Sequence, residues 1–403
     1  MIRNCSFSVL TNHGLGKFPI QQTSESLAQH GMLFKTVGGI LIPKNARLRR
    51  ISLPIAFKRL LNRSQSLPTR NLIVNSYLGE FFWQTHLLLK RKDGFFLIQR
   101  LMQYLSFILV DALARRILIR SKVGEIQLYH CRSGFGGRSL IAAKSLGIPT
   151  LCEHTTAHPD FRLLNIEHLK ELSFSIDKLM RNDLNSADYL LVPSEWVKET
   201  ILEVQNTPNV SVLTPPIDLN FRDYLTPQEN IDRDIDVLFV GYVSKLKGFH
   251  RFLSIVEKLD PSVKVTIAGS WDPRLSPLRE QMVQNQSVEV LDFVEHAKVA
   301  NLMARSKILL FPSQNEGAAR VVEEAMHAGV LVMATKVSFA NSRESAIYID
   351  AMSDYEVSEM IQHFLKSPTA RHEITDKAKA DLVERDAKYL ERLMSIYEKT
   401  QNR

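Results

Sequence analysis

Apolar residues in this chain fall into two patterns. Short runs rich in Val, Ile and Leu alternate with longer stretches in which apolar positions recur every three or four residues. The short runs are expected strands, and the longer stretches expected helices. In the first half, strands are expected at 6–11 (SFSVLT), 33–37, 126–130 (IQLYH), 149–153 (PTLCE), 188–192 (DYLLV) and 210–213. Helices are expected over 19–30, 136–146, 165–185 and 195–205. The second half is more regular. VLFVG (237–241) precedes a helix at 247–259, VKVTIAG (263–269) one near 275–285, and VEVLDFV (288–294) one at 296–304. KILLFPS (307–313) leads into another helix, VLVMAT (330–335) and AIYID (346–350) follow, and helices run to the C-terminus. Alternation of this kind predicts an α/β protein with parallel sheets and right-handed crossovers.

The alternation breaks at TPPIDLNFRDYLTPQENIDRD (214–234), with three prolines and many turn-forming residues. A chain of 403 residues has room for two domains. The expected division is a Rossmann-like domain over 1–222, a second over 223–385, and a C-terminal helix at 386–403 able to pack back on the first. Open parallel sheets bind ligands beyond the C-terminal ends of their strands, so two facing sheets would share a cleft.

Charge separates the halves. The net charge is +8, yet residues 1–200 hold 27 Lys and Arg against 14 Asp and Glu, while the rest hold 24 against 29. The basic half points to an anionic surface or ligand. KNARLRRISLPIAFKRLLNR (44–63), EFFWQTHLLLKRK (80–92) and ARRILIRSK (114–122) mix basic and apolar residues as anionic lipid headgroups require, although a merely solvated basic face is an alternative. No nucleic-acid-binding motif accompanies the charge, so nucleic acid is not an expected partner. The apolar region 95–119 is interrupted by Arg100, Gln103, Asp111, Arg115 and Arg116, and reads as a buried or interfacial helix rather than a span. The N-terminal apolar run is too short for a signal peptide, and three cysteines without metal spacing suit a reducing compartment. The expected setting is cytoplasmic, at the inner face of a membrane.

The densest chemistry lies in NEGAARVVEEAMHAG (315–329), with Glu316 and Glu324 eight positions apart. On one helix such a pair would face roughly 80° apart. The pair converges better if Glu316 precedes the helix and Glu324 lies inside it. Gly317, Ala318 and Ala319 between them are small enough for a ligand to approach backbone N–H groups, where a helix start favours phosphate. A diphosphate there, a sugar at Glu316 and a ribose at Glu324 would account for the pattern. An acidic first turn that only caps its helix accounts for it about as well. VLFVGYVSKLKGFHRF (237–252) adds Gly241 at a strand end, then Lys245 and Lys247 before a helix. Either lysine could reach the same phosphates, or simply be solvated.

Together these segments resemble the retaining GT-B glycosyltransferases of family 4, which transfer sugars from nucleotide diphosphates. The order is strand, Gly241, Lys247-Gly248, then Glu316 and Glu324 around Gly317, then Ala325 and Gly329. ADYLLVPSEWVKETI (187–201) and the turn at 212–218 are similar to first-domain segments of that family. The resemblance implies a two-domain GT-B fold, a nucleotide-sugar donor, a lipid-linked or glycan acceptor such as a growing polysaccharide of the cell envelope, and no required metal or other cofactor. It implies hexosyl transfer with retention, Lys247 on the diphosphate, Glu316 beside the donor sugar, Glu324 on the ribose, and His154, after the fourth strand, facing the sugar. Three positions depart from the family: Tyr242 stands where an arginine is common, Ala319 where a second glycine is common, and VSFANSRES (337–345) replaces a Gly-Gly loop. An epimerase or a turnover-deficient binding protein on the same fold is the alternative.

Weaker signals remain. HGLGKF (13–18), with His13, Gly14, Gly16 and Lys17, follows the first expected strand and could meet donor or acceptor. RSGFGGR (132–138) could offer Arg132 and Arg138 to an anionic acceptor, or be a tight turn. In IDRDID (231–236) the apolar strand follows the aspartates instead of preceding them, so the spelling reads as a linker. HTTAH (154–158) lacks the glutamate of a zinc helix.

Overall fold

The computed structural model describes residues 7–15, 19–40, 42–43, 64–65, 72–89, 94–164, 175–207, 209–225, 232–340, 345 and 347–402. Two parallel sheets carry the fold. The first takes β1 (Val9–Gly14), β2 (Leu33–Gly38), β5 (Ile73–Asn75), β6 (Leu128–Arg132), β7 (Thr150–Glu153), β8 (Tyr189–Val192) and β9 (Val210–Val212), in the order β5-β2-β1-β6-β7-β8-β9. A short separate pair joins β3 (Ile42–Pro43) to β4 (Ser64–Gln65). The second sheet takes β10 (Ile235–Val240), β11 (Val265–Ala268), β12 (Val288–Leu291), β13 (Ser306–Phe311), β14 (Leu331–Ala334) and β15 (Ile347–Tyr348), in the order β12-β11-β10-β13-β14-β15. Both orders reverse direction beside a central strand, β1 or β10, the switch points where such sheets take ligands.

The central strands read as unbroken apolar runs because helices cover both their faces. Val237, Leu238, Phe239 and Val240 are all buried, and Phe239 packs edge-on against Phe252 of the helix Phe249–Val256. Burying one such side chain contributes about 1.5–3 kcal/mol. The packing changes sides between Leu213, in a core of the first domain, and Ile217, in the core of the second. That is ahead of the expected division at 222–223, which falls within the helix Leu219–Leu225. Phe221 of this helix is buried in the second core, so the polar linker contains an element that its prolines concealed.

The C-terminal helix Tyr389–Gln401 crosses back to the first domain. Leu393 and Ile396 enter its core, Tyr389 bonds Thr23 at 2.7 Å, and Tyr397 bonds His130 at 2.9 Å.

Several expectations shift. His13 and Gly14 are the last residues of β1, not a loop, because β1 pairs with β2 on one side and β6 on the other. Ser6, Gly16, Lys17, residues 44–63 and residues 165–174 lie outside the described residues, and the remainder of the expected helix at 165–185 is Ile176–Ser186. The helix expected from 247 begins at Phe249, because Gly248 adopts a left-handed φ of 70°. Region 95–119 is one helix, Phe96–Arg120, and by length and composition it is long and apolar enough to cross a membrane. The stretch ahead of the adjacent Arg115 and Arg116 carries only Arg100 and Asp111 as charges.

Candidate functional site

The C-terminal ends of the two sheets meet. β10 ends at Val240, then Gly241 and a turn lead into the helix Phe249–Val256. A Cβ at Gly248 would lie 1.8 Å from the carbonyl oxygen of Pro312, so only glycine lets this turn seat on the exit of β13. Gln314 N donates to Leu246 O at 2.9 Å, and Ser313 Oγ lies 3.2 Å from the same oxygen. This seating brings Lys247 and Glu316, 69 residues apart, into an ion pair. Ser313 Oγ also donates to Glu316 Oε1 at 2.9 Å. Lys247 Nζ lies 5.8 Å from the centre of the Phe311 ring. Both charges sit at the mouth of the site, the lysine 29% and the glutamate 12% exposed.

Tyr242 and Lys245 are exposed on the same turn. Burial, and then the Asp272 carboxylate, push the Tyr242 phenol up, while Arg274 opposes the shift. Arg274 pairs with Asp272 through Nε at 3.0 Å and Nη2 at 2.6 Å. An arginine therefore stands near Tyr242, supplied by the turn after β11. Its only sequence signal was a strand-end position, in SWDPR.

Glu316 lies on the loop and Glu324 inside the helix Arg320–His327. Glu324 is buried, and its Oε1 is 3.1 Å from His296 Nε2 at the start of the helix His296–Ala304. The His296 ring centre is 4.9 Å from that of Phe221. Sequence reasoning missed both residues. Glu323, one position earlier, is turned the other way. It pairs with Arg385, which also bonds Asp386 Oδ1 at 2.7 Å. Asp386 receives Arg222 as well, and His327 at 3.3 Å. Burial would raise the Asp386 carboxyl, but His327 and Arg385 hold it at about 2. This cluster clamps the back of the helix that carries Glu324.

The small residues of the motif are engaged by protein. A Cβ at Gly317 would lie 1.8 Å from Thr155 O, so this glycine lets the second domain touch the loop after β7. Ala319 N donates to Ser338 O at 2.9 Å and is not open to a phosphate. Ala318 lines a narrow crevice between the domains with Thr155, Pro193, Thr214, Pro216 and Arg320.

His154, just before Thr155, is fully buried. Its Nδ1 is 2.8 Å from Ser133 Oγ and its Nε2 is 3.2 Å from Ala157 O, to which Nε2 donates. His158 Nδ1 accepts from Asp160 N at 3.1 Å.

In the 132–138 loop, the N–H groups of Gly134 and Gly136 donate to Asp183 at 2.7 and 2.8 Å. Those of Arg138 and Ser139 donate to Asp111 at 2.8 and 3.0 Å. These four donors thus serve a protein turn and not an outside anion. Burial pushes the Asp183 carboxyl up to about 8, against bonds from Gly136 and Gly134. Arg138 is exposed, and burial lowers the Arg132 guanidinium to about 10 against the pull of Glu153. Asp234 and Asp236, at the opposite end of β10 from Gly241, pair with Arg305 at 2.5 Å and Lys307 at 2.6 Å.

Comparison with known proteins agrees with this geometry. Residues 222–381 match the family model described as Glycosyl transferases group 1. The chain is 24% identical over 313 residues to the phosphatidylinositol N-acetylglucosaminyltransferase gpi3 subunit of Schizosaccharomyces pombe, covering 72% of this chain and 66% of that protein. It is 23% identical over 285 residues to the phosphatidylinositol N-acetylglucosaminyltransferase GPI3 subunit of Saccharomyces cerevisiae, covering 66% of this chain and 60% of that one. The chain thus spans less than two thirds of either relative's length. Anabaena HepE in complex with UDP superposes with a TM-score of 0.60 at 15% identity, over 96% of this chain and 100% of that one. WaaG, a glycosyltransferase involved in lipopolysaccharide biosynthesis, superposes with a TM-score of 0.61 at 13% identity, over 98% of both chains. The two α/β domains have the GT-B fold, and the match to the glycosyl transferases group 1 model falls on the second.

Proposed function

We propose, from the premise of a GT-B fold and a group 1 glycosyl transferase domain, that this chain transfers a hexosyl unit from a nucleotide diphosphate sugar to a lipid-linked or glycan acceptor, with retention of configuration. The observation that carries the reading is the ion pair between Lys247 and Glu316, beyond the adjacent C-terminal ends of β10 and β13, inside the matched domain. Transfer breaks the bond between the sugar's anomeric carbon and the diphosphate oxygen, whose electron pair leaves with the diphosphate. An acceptor hydroxyl oxygen bonds to that carbon from the same face, and its proton passes to the departing diphosphate. That charge needs a fixed cation in a partly desolvated site. Lys247 supplies it, with Lys245 and Arg274 nearby on the strand-end turns, and no metal ion is required. With no donor bound, Lys247 and Glu316 neutralise each other. With donor bound, the diphosphate takes the lysine and a sugar hydroxyl donates to Glu316. Glu324 accepts from the ribose once His296 gives way. His154 approaches the sugar from the first domain when the contact with Ala157 is exchanged. Acceptor enters along the first domain, whose surplus of positive charge supports a peripheral position on the cytoplasmic face of an anionic membrane.

The test is slow hydrolysis of a panel of nucleotide sugars, with the released sugar identified by NMR. The parent is expected to release a sugar of unchanged identity and, with methanol added as acceptor, to form a methyl glycoside of the donor's anomeric configuration, which does not mutarotate. Glu316→Gln is expected to keep donor affinity but lose turnover tenfold or more, since a hydrogen bond to a charged group contributes about 1.5–3 kcal/mol. An isomerised sugar, or parental turnover in Glu316→Gln, would overturn the reading.

A further inference from the structure

We infer that the helices Tyr77–Leu89 and Phe96–Arg120 form a hairpin that lies flat on an anionic phospholipid surface, which rests on the peripheral-membrane reading proposed above and locates its contact.

The pair is too apolar on its outer side for a solvated surface. On the first helix, Leu78, Phe81 and Leu88 are 55%, 63% and 67% exposed. At positions 78, 81 and 88 they share one face. On the second helix, Phe107, Val110, Asp111, Ala114 and Leu118 are buried against the first domain. The opposite face carries Ile98, Leu105, Leu109 and Ala112, at three- to seven-residue spacing, and none of these is buried. Only 22% of the most apolar window of this helix is buried.

Charge selects the occupant. These two helices contain two carboxylates, Glu80 and Asp111, and both are buried. Glu80 accepts from Ile40 N at 3.2 Å and Gln84 Nε2 at 2.6 Å, and Asp111 caps the helix Gly137–Ser145. The outward charges on the pair are therefore cationic: Arg115, Arg116 and Arg120 are exposed. Arg116 stands 18 residues, five helical turns, after Ile98 and so lies on the apolar face. An apolar stripe ending in arginines suits acyl chains beneath anionic headgroups.

Length alone would let Phe96–Arg120 span a bilayer, but its inner face is committed. Phe107 stacks on Phe135 with ring centres 4.0 Å apart, and Asp111 holds two backbone N–H groups of the first domain. The helix lies in the plane of the surface instead. It then sits directly behind the 132–138 loop, where a Cβ at Gly134 would meet Phe107 at 2.9 Å. A lipid-linked acceptor reaching the cleft from that surface passes the exposed Arg138.

The experiment is co-sedimentation of the full chain with vesicles of phosphatidylcholine alone, or with about one third phosphatidylglycerol, at low and high salt. Two variants are compared, Phe81→Ser with Leu97→Ser, and Arg115→Gln with Arg116→Gln. All four positions are exposed, so solution melting should stay near the parent's. The parent should bind the anionic vesicles and be released toward 1 M salt, where the Debye length is about 3 Å. Each variant should partition about tenfold less. If the parent binds and both variants bind equally well, the hairpin is not the contact, though the peripheral reading stands. Binding by the parent to neither vesicle, or equally to both, overturns both inferences. Should the serine variant fail to fold, the glutamine variant decides alone.

Discussion

The two domains bury carboxylates in opposite ways. In the first, Asp183 and Asp111 are held by backbone N–H groups of a glycine-rich turn and a helix start. Burial pushes Asp183 up to about 8, and Glu153 up to about 7 with Arg132 opposing. In the second, buried or half-buried carboxylates face cations: Glu316 meets Lys247, Glu323 meets Arg385, and Asp386 meets Arg385, Arg222 and His327. Asp386 is held at about 2 in consequence. Backbone dipoles can satisfy a carboxyl without a cation, so the side chain of Arg138 on the same turn can face outward. Cationic partners place hydrogen-bond donors on the second domain's acids, and they keep Asp386 ionised at neutral pH. Net charge alone, positive in one half and negative in the other, hides this division of labour.

The comparison breaks most readily at Arg385. Arg385→Met leaves Glu323 and Asp386 buried without their main cation and should cost about 3–5 kcal/mol, read from urea unfolding. A loss below about 1 kcal/mol would mean that Arg222 and His327 suffice. A neutral isostere sharpens the contrast. Asp183→Asn should cost under about 1 kcal/mol near pH 7, because the native carboxyl already holds its proton there and an amide oxygen can accept the same two bonds. Asp386→Asn should cost more.

A pH slope probes both domains at once. Asp183 and Glu153 have native values of about 8 and about 7, above their ordinary 3.8 and 4.5. Between those limits the native state retains protons that the unfolded chain has released, so stability falls as pH rises from about 4 to about 8. Asp386 acts at the other end, its contribution present above its ordinary 3.8 and lost as pH falls toward about 2. Melting of Asp183→Asn with Glu153→Gln across this range should show a flatter slope between pH 4 and 8 than the parent's. An unchanged slope would assign it to other groups.

Strand positions in the second domain were legible because its runs are buried on both faces and separated by regular helices. The loop placement of Glu316 and the helical placement of Glu324 followed from their spacing. Partners far apart in the chain were not legible. His296 beside Glu324, Arg385 beside Glu323 and Arg274 near Tyr242 come from separate elements, and no local pattern joins them. The small size of Gly317 was read as room for a ligand, yet a carbonyl of the other domain occupies that space. The turn at 132–138 suggested an anion site because its acceptors, Asp111 and Asp183, lie on helices whose packing against it the sequence does not reveal.

The central claim is that the second domain's ionised pairs form a nucleotide-sugar site. It is tested most directly by calorimetric titration of nucleoside diphosphates into the parent and into a Lys247→Ala, Glu324→Ala double variant. The account predicts binding of at least one nucleotide by the parent and a loss of about a hundredfold or more in the variant, the effect of removing two charged hydrogen-bonding groups. Equal affinity in the two proteins would contradict it.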